Sequence, residues 1–256
     1  MQRDKSPKVN LYYYSTFGRY SRMKQATLSF IFFISSWPRL ILEVFLRKSM
    51  GERYFSFSSV ILITLILALV PYFLSSGLPL LYMMTNNISW YTFLVLFVFF
   101  GFKRWKEIKR EPSVFNFGKF SLSSGHWHPF FSNISFLGKK SNPRTISIIY
   151  EPAIFVIGGL VLTLLAQMIG PILLISGLMY SISYLAAYNA GDEFVMDQID
   201  KMISNEEMYD SFVQQKPPEE TRGFSFYGRG PEASDQRENL VNSFLADSDE
   251  PSAMAS

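Results

Sequence analysis

Apolar and polar positions fall into long blocks along this chain. Residues 54–102 pass without a single Lys, Arg, Asp or Glu, a run of 49, and residues 152–191 form a second such run of 40. A helix that crosses a hydrocarbon core needs roughly 20 apolar residues. Each run is therefore too long for one crossing and suits two helices joined by a turn. In the first run the pattern predicts an outgoing arm over 57–77, with Pro71 as a kink point, and a return arm over 88–102. Thr85-Asn86-Asn87 supplies the polar turn between them. In the second run, Glu151-Pro152 marks a helix start, because an acid and a proline are both favourable there. The arms are expected over 153–169 and 172–188, with Gly170-Pro171 as the break.

The charges outside these runs set the expected topology. Residues 1–53 hold 10 Lys+Arg against 3 acids, residues 103–151 hold 9 against 3, and residues 192–256 hold 5 against 15. Two hairpins return the chain to its starting side, so the three polar segments share one face. That face carries 19 of the 24 basic residues, which makes it cytoplasmic under the positive-inside rule. The expected fold is an all-α membrane protein of two transmembrane hairpins, four helices in all. Its parts are a basic N-terminal segment (1–53), a hairpin (54–102), a basic aromatic cytoplasmic loop (103–151), a second hairpin (152–191), an acidic amphipathic helix (192–213) and a disordered acidic tail (214–256). The membrane is an inner or plasma membrane. No cleavable signal peptide is predicted, since the first apolar stretch starts only at Leu28 and is broken by Ser35-Ser36 and Pro38-Arg39. Within 40–50, Leu40, Ile41, Val44 and Phe45 alternate with Glu43, Arg47 and Lys48 as in a helix lying in the interface.

Several residues are expected to matter individually. Gly159, Thr163, Ala166 and Gly170 line one face of an arm, and Gly177 and Ser181 line the next. This small-xxx-small spacing lets helices approach closely and also suits a homo-oligomer. Gln167, the carboxamide inside the second hairpin, is read as an interhelical hydrogen-bonding group. Trp90 and Tyr91 belong to a headgroup belt, Lys103 and Arg104 snorkel from the other end of their arm, and Trp127 lies at the interface in the 113–138 loop. That loop, rich in Phe115, Phe117, Phe120 and Leu122, reads as extended segments around a Gly turn. In the acidic helix, Val195, Ile199, Met202, Ile203, Tyr209 and Phe212 recur at three- and four-residue steps. In the tail, Leu240, Val241, Phe244 and Leu245 form a short apolar cluster suited to docking a partner.

Candidate chemistry is sparse. There is no Cys, which removes thiol catalysis, disulfides and Cys-ligated zinc. The two histidines, His126 and His128, flank Trp127 without the further ligands that a zinc site requires. No nucleophile–base–acid set is evident, and Gly228-Arg-Gly-Pro lacks the Lys-Ser/Thr of a phosphate loop. No enzyme activity, cofactor or metal is expected. Tyr12, Tyr13, Tyr14 and Tyr20 among basic residues suit anionic lipid ahead of nucleic acid.

The expected function is a non-catalytic anchor or accessory subunit of a membrane-bound assembly, with a secretion or DNA-transfer apparatus as one setting. Its partners are membrane lipids and a soluble cytoplasmic protein with a basic surface, recruited through the tail. The paired-hairpin plan is similar in outline to reticulon-type membrane-shaping proteins, and that likeness implies the alternative of a membrane-bending hairpin protein. A transporter ranks behind both, for want of charged groups in the spans.

Overall fold

A computed structural model describes residues 9–74, 87–108, 120–132, 135–136, 139–140 and 142–246. Thr85, Asn86, Phe115 and Phe117 lie outside them. Among the described residues the architecture is helical, with short β pairings: β1 (Val9–Asn10) with β4 (Leu245–Ala246), and β2 (Ser135–Phe136) with β3 (Lys139–Lys140), both antiparallel. Three helical stretches, Arg22–Leu46, Pro143–Leu164 and Ile169–Phe212, are long and apolar enough to cross a membrane, and Phe57–Phe73 is a shorter apolar helix. The chain forms two compact units, residues 29–188 and residues 1–28 with 189–256.

In the 29–188 unit, α3 (Phe57–Leu74) and α4 (Ile88–Ile108) pack antiparallel. Phe57 stacks on Trp105 with ring centroids 5.8 Å apart, and Trp90 Nε1 donates to the Leu67 carbonyl at 3.0 Å. Gly101 permits this approach, because a Cβ there would meet Val60 Cγ1 at 2.8 Å. The core gathers Leu42, Val44, Val60, Trp90, Phe97 and Tyr180. Two interface assignments are thereby corrected. Trp90 is buried in this core rather than placed in a headgroup belt. Arg104 is also buried, its Nε donating to the Val44 carbonyl at 3.1 Å and its Nη1 to Glu107 at 2.7 Å, so it does not snorkel. These bonds let α4 run on to Ile108, beyond the expected end at 102. Tyr91 is half-buried against the same core, Lys103 is exposed, and Trp127 is half-buried.

The second hairpin begins earlier than its charge pattern suggests. A helical turn (Pro143–Thr145) and a π-helical turn (Ile146–Tyr150) lead directly into α5 (Glu151–Leu164). Glu151 thus sits inside a helical run, not at its head. The break also moves, to residues 165–168, where Ala166 takes φ 56°. Gly170-Pro171 instead opens α6 (Ile169–Phe212). Proline costs little in a first turn, where its missing N–H has no intrahelical partner. Helix α6 then continues through Gly191 for 44 residues, so the acidic 192–213 stretch is its second half and not a separate helix.

The N-terminal half of the chain departs from expectation in the same way. The helix expected over 40–50 is the last part of a longer one, α2, which spans Gly18–Leu46. Its charges at 39 and 43, and Arg47 just past its end, point into the protein.

The other unit joins the two ends of the chain. Asn10 caps α1 (Leu11–Thr16), its Oδ1 accepting from the Tyr13 amide at 2.9 Å, while its Nδ2 donates to Ser204 Oγ at 2.9 Å and Asn205 Oδ1 at 2.7 Å. Tyr12 stacks on Phe226 at 4.3 Å, and Met208, Phe212, Val213 and Val241 form a small core. The tail expected to be disordered is therefore folded as far as Ala246. It includes α7 (Ser234–Phe244). Phe224 and Phe226, set among Gly and Pro, supply the buried aromatic surface that offsets the ordering cost. The proposed docking cluster is largely consumed here. Val241 is buried, Phe244 stacks on Phe226 at 5.8 Å, Leu245 pairs through its backbone with Asn10, and Leu240 is exposed.

Candidate functional site

The chemistry-bearing side chains of the 29–188 unit converge on one buried cluster. Arg39, Glu43 and Arg47 are spaced i, i+4, i+8 and so form a single stripe along the end of α2. Tyr180, Ser183 and Tyr184 form the matching stripe on α6. From the π turn and α5 come Ser147 and Glu151. A π turn carries one extra residue per turn, which realigns the side chains that follow it; here Ser147 and Glu151 both reach Arg47.

Two linked ion pairs result. Arg47 Nη2 donates to Glu151 Oε2 at 2.5 Å and Arg47 Nε to Oε1 at 3.2 Å, with Tyr180 Oη donating to Oε2 at 2.7 Å. The remaining donors of Arg47 reach Ser147 Oγ at 2.9 Å and Ser124 Oγ at 2.8 Å. Arg47 and Glu151 are 2% and 0% exposed, which places both charges out of reach of water. In the second pair, Arg39 Nε donates to Glu43 Oε1 at 2.7 Å and Nη1 to Ser183 Oγ at 2.7 Å, and Nη2 bonds to Tyr54. Tyr54 and Tyr184 each donate to Glu43 Oε1 at 2.7 Å. The Tyr184 ring lies 4.3 Å from both guanidinium carbons and ties the pairs together. A cavity of about 310 Å³ between Trp37 and Ile63 reaches Arg39 and Glu43, so the second pair is less sealed than the first.

Chemically this is a closed arrangement. Two arginines are matched by two glutamates, and each carboxylate is also bonded by tyrosine. Among the described residues, the one buried side-chain nitrogen or oxygen without a partner is Arg237 Nε, far along the chain in the other unit. His126 and His128 do not join the cluster. His126 pairs its backbone with Lys48, and His128 Nδ1 accepts from the Phe130 amide at 3.3 Å.

The small-residue positions do meet. A Cβ on Gly159 would lie 2.8 Å from Leu174 N, and one on Gly170 would lie 2.4 Å from Thr163 N. Gly177 faces Val156 and the Pro152 carbonyl in the same seam. Thr163 and Ser181 turn their hydroxyls onto their own helices, to the Gly159 and Gly177 carbonyls. Ala166 is not part of this face, since its positive φ places it in the turn. Gln167 Oε1 accepts from Ser89 Oγ at 2.6 Å, which links the second hairpin to α4.

The ion-pair cluster was missed by sequence reasoning because its members fall at the margins of the charge-free runs. Two signals were present. One is the Arg39–Glu43–Arg47 spacing, and the other is the apolar Ile146, Ile148, Ile149 and Tyr150 just before Glu151. Taken together, the fold and this buried cluster are consistent with the class of helical integral membrane proteins. Comparison with protein-family profiles, with curated proteins and with solved structures finds no match to this chain.

Proposed function

We propose that the chain is a non-catalytic, multi-pass membrane anchor or accessory subunit of a membrane-bound assembly, holding a soluble protein at the cytoplasmic face of an inner or plasma membrane. The observation that carries this reading is the closure of the cluster. Ionisable groups inside a membrane-type unit invite a functional role by default. Within the cluster, among the described residues, each arginine and each glutamate is instead occupied by another member. Such a network fixes the register of α2, α5 and α6 and serves a rigid scaffold.

The recruiting surface is better sought on α6 than at 240–245. Val195, Ile199 and Met202 are 55%, 43% and 61% exposed on its second half, which contains seven acids and one lysine over 192–213. An exposed apolar stripe edged by carboxylates fits a partner with an apolar strip in a basic surface. Replacing Ile199 and Met202 with Ser tests this. In mild detergent, the soluble protein that co-purifies at low salt should be lost with the double variant, and its retention on the unaltered chain should weaken as salt is raised. An unchanged, salt-insensitive set of co-purifying proteins would overturn the reading.

A further inference from the structure

Helix α2 meets the length and hydropathy required of a span, yet contacts on either side of it require that it start and finish on one side of the bilayer. Before its apolar stretch, Lys24 pairs with Glu193 at 2.9 Å, and further upstream Tyr13 bonds to Asp197 at 2.9 Å. After it, Lys48 pairs with His126, and the Arg53 amide donates to the Ser121 carbonyl. The chain from Arg53 to Glu193 can then be followed. Phe57 at the start of α3 stacks on Trp105 near the end of α4, so this pair leaves and returns to one side. Residues 121–126 are tied to 48–53, and Ser147 is tied to Arg47, so both stay on that side too. Arg144, at the start of the next helical run, lies over the Tyr188 ring at 5.4 Å. The second hairpin therefore also returns to the side from which it left. From Tyr188 to Glu193 is five residues of one helix, about 7.5 Å, too short to cross. Residue 53 thus shares a side with residue 193, and residue 193 with residue 24.

The two faces of α2 agree with this. Arg39, Glu43 and Arg47 face the protein. On the other face, Phe30, Phe33, Ile34 and Trp37 are 63%, 77%, 46% and 46% exposed. We infer that α2 is a monotopic element: it lies in the leaflet adjoining residues 24, 53 and 193, with Phe30, Phe33, Ile34 and Trp37 as its lipid-binding face. The occupant is lipid because the helix joins an aqueous-side segment to two hairpins whose outer faces carry exposed Leu62, Leu65, Val95, Phe99 and Leu160. The geometry is that of an interfacial helix, with the face opposite to the charged stripe buried in the bilayer. This inference rests on the membrane reading of the fold but not on any partner or on which side is cytoplasmic.

The full chain contains no Cys, so single replacements can be labelled cleanly. Ser15→Cys, Arg53→Cys and Gln198→Cys, in sealed vesicles of phosphatidylcholine and phosphatidylglycerol, should all react with an impermeant maleimide from the same side. Phe33→Cys, carrying a fluorophore, should be quenched more by spin labels near the headgroup end of lipid chains than by labels near the chain ends. A crossing helix would put this mid-helix position at the bilayer centre and reverse that order. Labelling of Ser15→Cys and Arg53→Cys from opposite sides would overturn the inference, as would deeper quenching. No quenching at either depth would mean that protein, such as a second copy, covers the face, and would also overturn it. Alkaline carbonate extraction separates the underlying reading, since release of the unaltered chain from vesicles would show that membrane integration itself had failed.

Discussion

Removing the Arg47 side chain is the sharpest test of the cluster. Arg47→Met keeps an apolar stem of similar length but deletes the guanidinium. Glu151 then loses both of its arginine bonds and retains only that from Tyr180, at 2.7 Å, with no exposure to water. Breaking a buried pair by removing one partner typically costs about 3–5 kcal/mol, because the surviving charge is left uncompensated. Glu151→Met should cost toward the lower end of that range, since Arg47 keeps Ser147, Ser124 and Tyr180. The double variant removes both charges. Replacing a buried pair by apolar groups is often neutral, so the two single costs should not add, and the coupling should reach about 2–3 kcal/mol. Arg39→Met should be milder than Arg47→Met, because its pair borders a cavity. The assay is reversible unfolding in mixed micelles, followed by reactivity of a Cys introduced at the buried Ser176. Single costs below about 1 kcal/mol, or strict additivity, would refute the argument that these charges depend on each other.

Other outcomes follow from neighbouring geometry. Gly158 has open space where a Cβ would go while Gly159 does not, so Gly158→Ala should stabilise by about 0.5–1 kcal/mol and Gly159→Ala should destabilise by about 1–3 kcal/mol, read as thermal midpoints in detergent. Ala166→Gly should relieve the left-handed backbone at φ 56° and raise the same midpoint, with a gain of about 1 kcal/mol. In the unit joining the chain ends, burial opposes ionisation of Asp197, but hydrogen bonds from Lys201 and Tyr13 outweigh it and hold the carboxyl below its usual range. The stability this gives is present above the unfolded carboxyl's ordinary value of 3.8 and is lost as the pH falls through the lower folded value. Near-ultraviolet circular dichroism of the tyrosines should show that acid limb flattened in Asp197→Asn.

The helical class and the long apolar helices were legible in the sequence because both follow from composition. Gly159, Gly170 and Gly177 meet where their periodicity suggested, while Ala166, with no glycine-like freedom to announce it, takes the turn. The buried cluster was less legible, since a charged residue beside an apolar run reads equally as a lipid-facing snorkel or as an inward ion pair. Deciding between them needs the partner, and Glu151 lies 104 residues from Arg47. The folded tail was obscured for a related reason. Its core depends on Tyr12, which supplies the ring that Phe226 stacks on from the far end of the chain.

That last contact has a bearing on synthesis. Asn10 leaves the ribosome well before its side-chain acceptor on Ser204, which follows 194 residues later. At about 5–20 residues per second, the N-terminal segment waits roughly 10–40 s for the surface it folds against. During that interval the contacts of Tyr13 with Asp197 and of Tyr12 with Phe226 and Tyr227 are still unmade, while the apolar helices are already emerging. Closure by β4, the last described element, comes later still, so this unit is completed only after the apolar helices have been made. A ribosome that stops before residue 204 would release a chain whose apolar helices are complete but whose Asn10 lacks the two side chains it bonds.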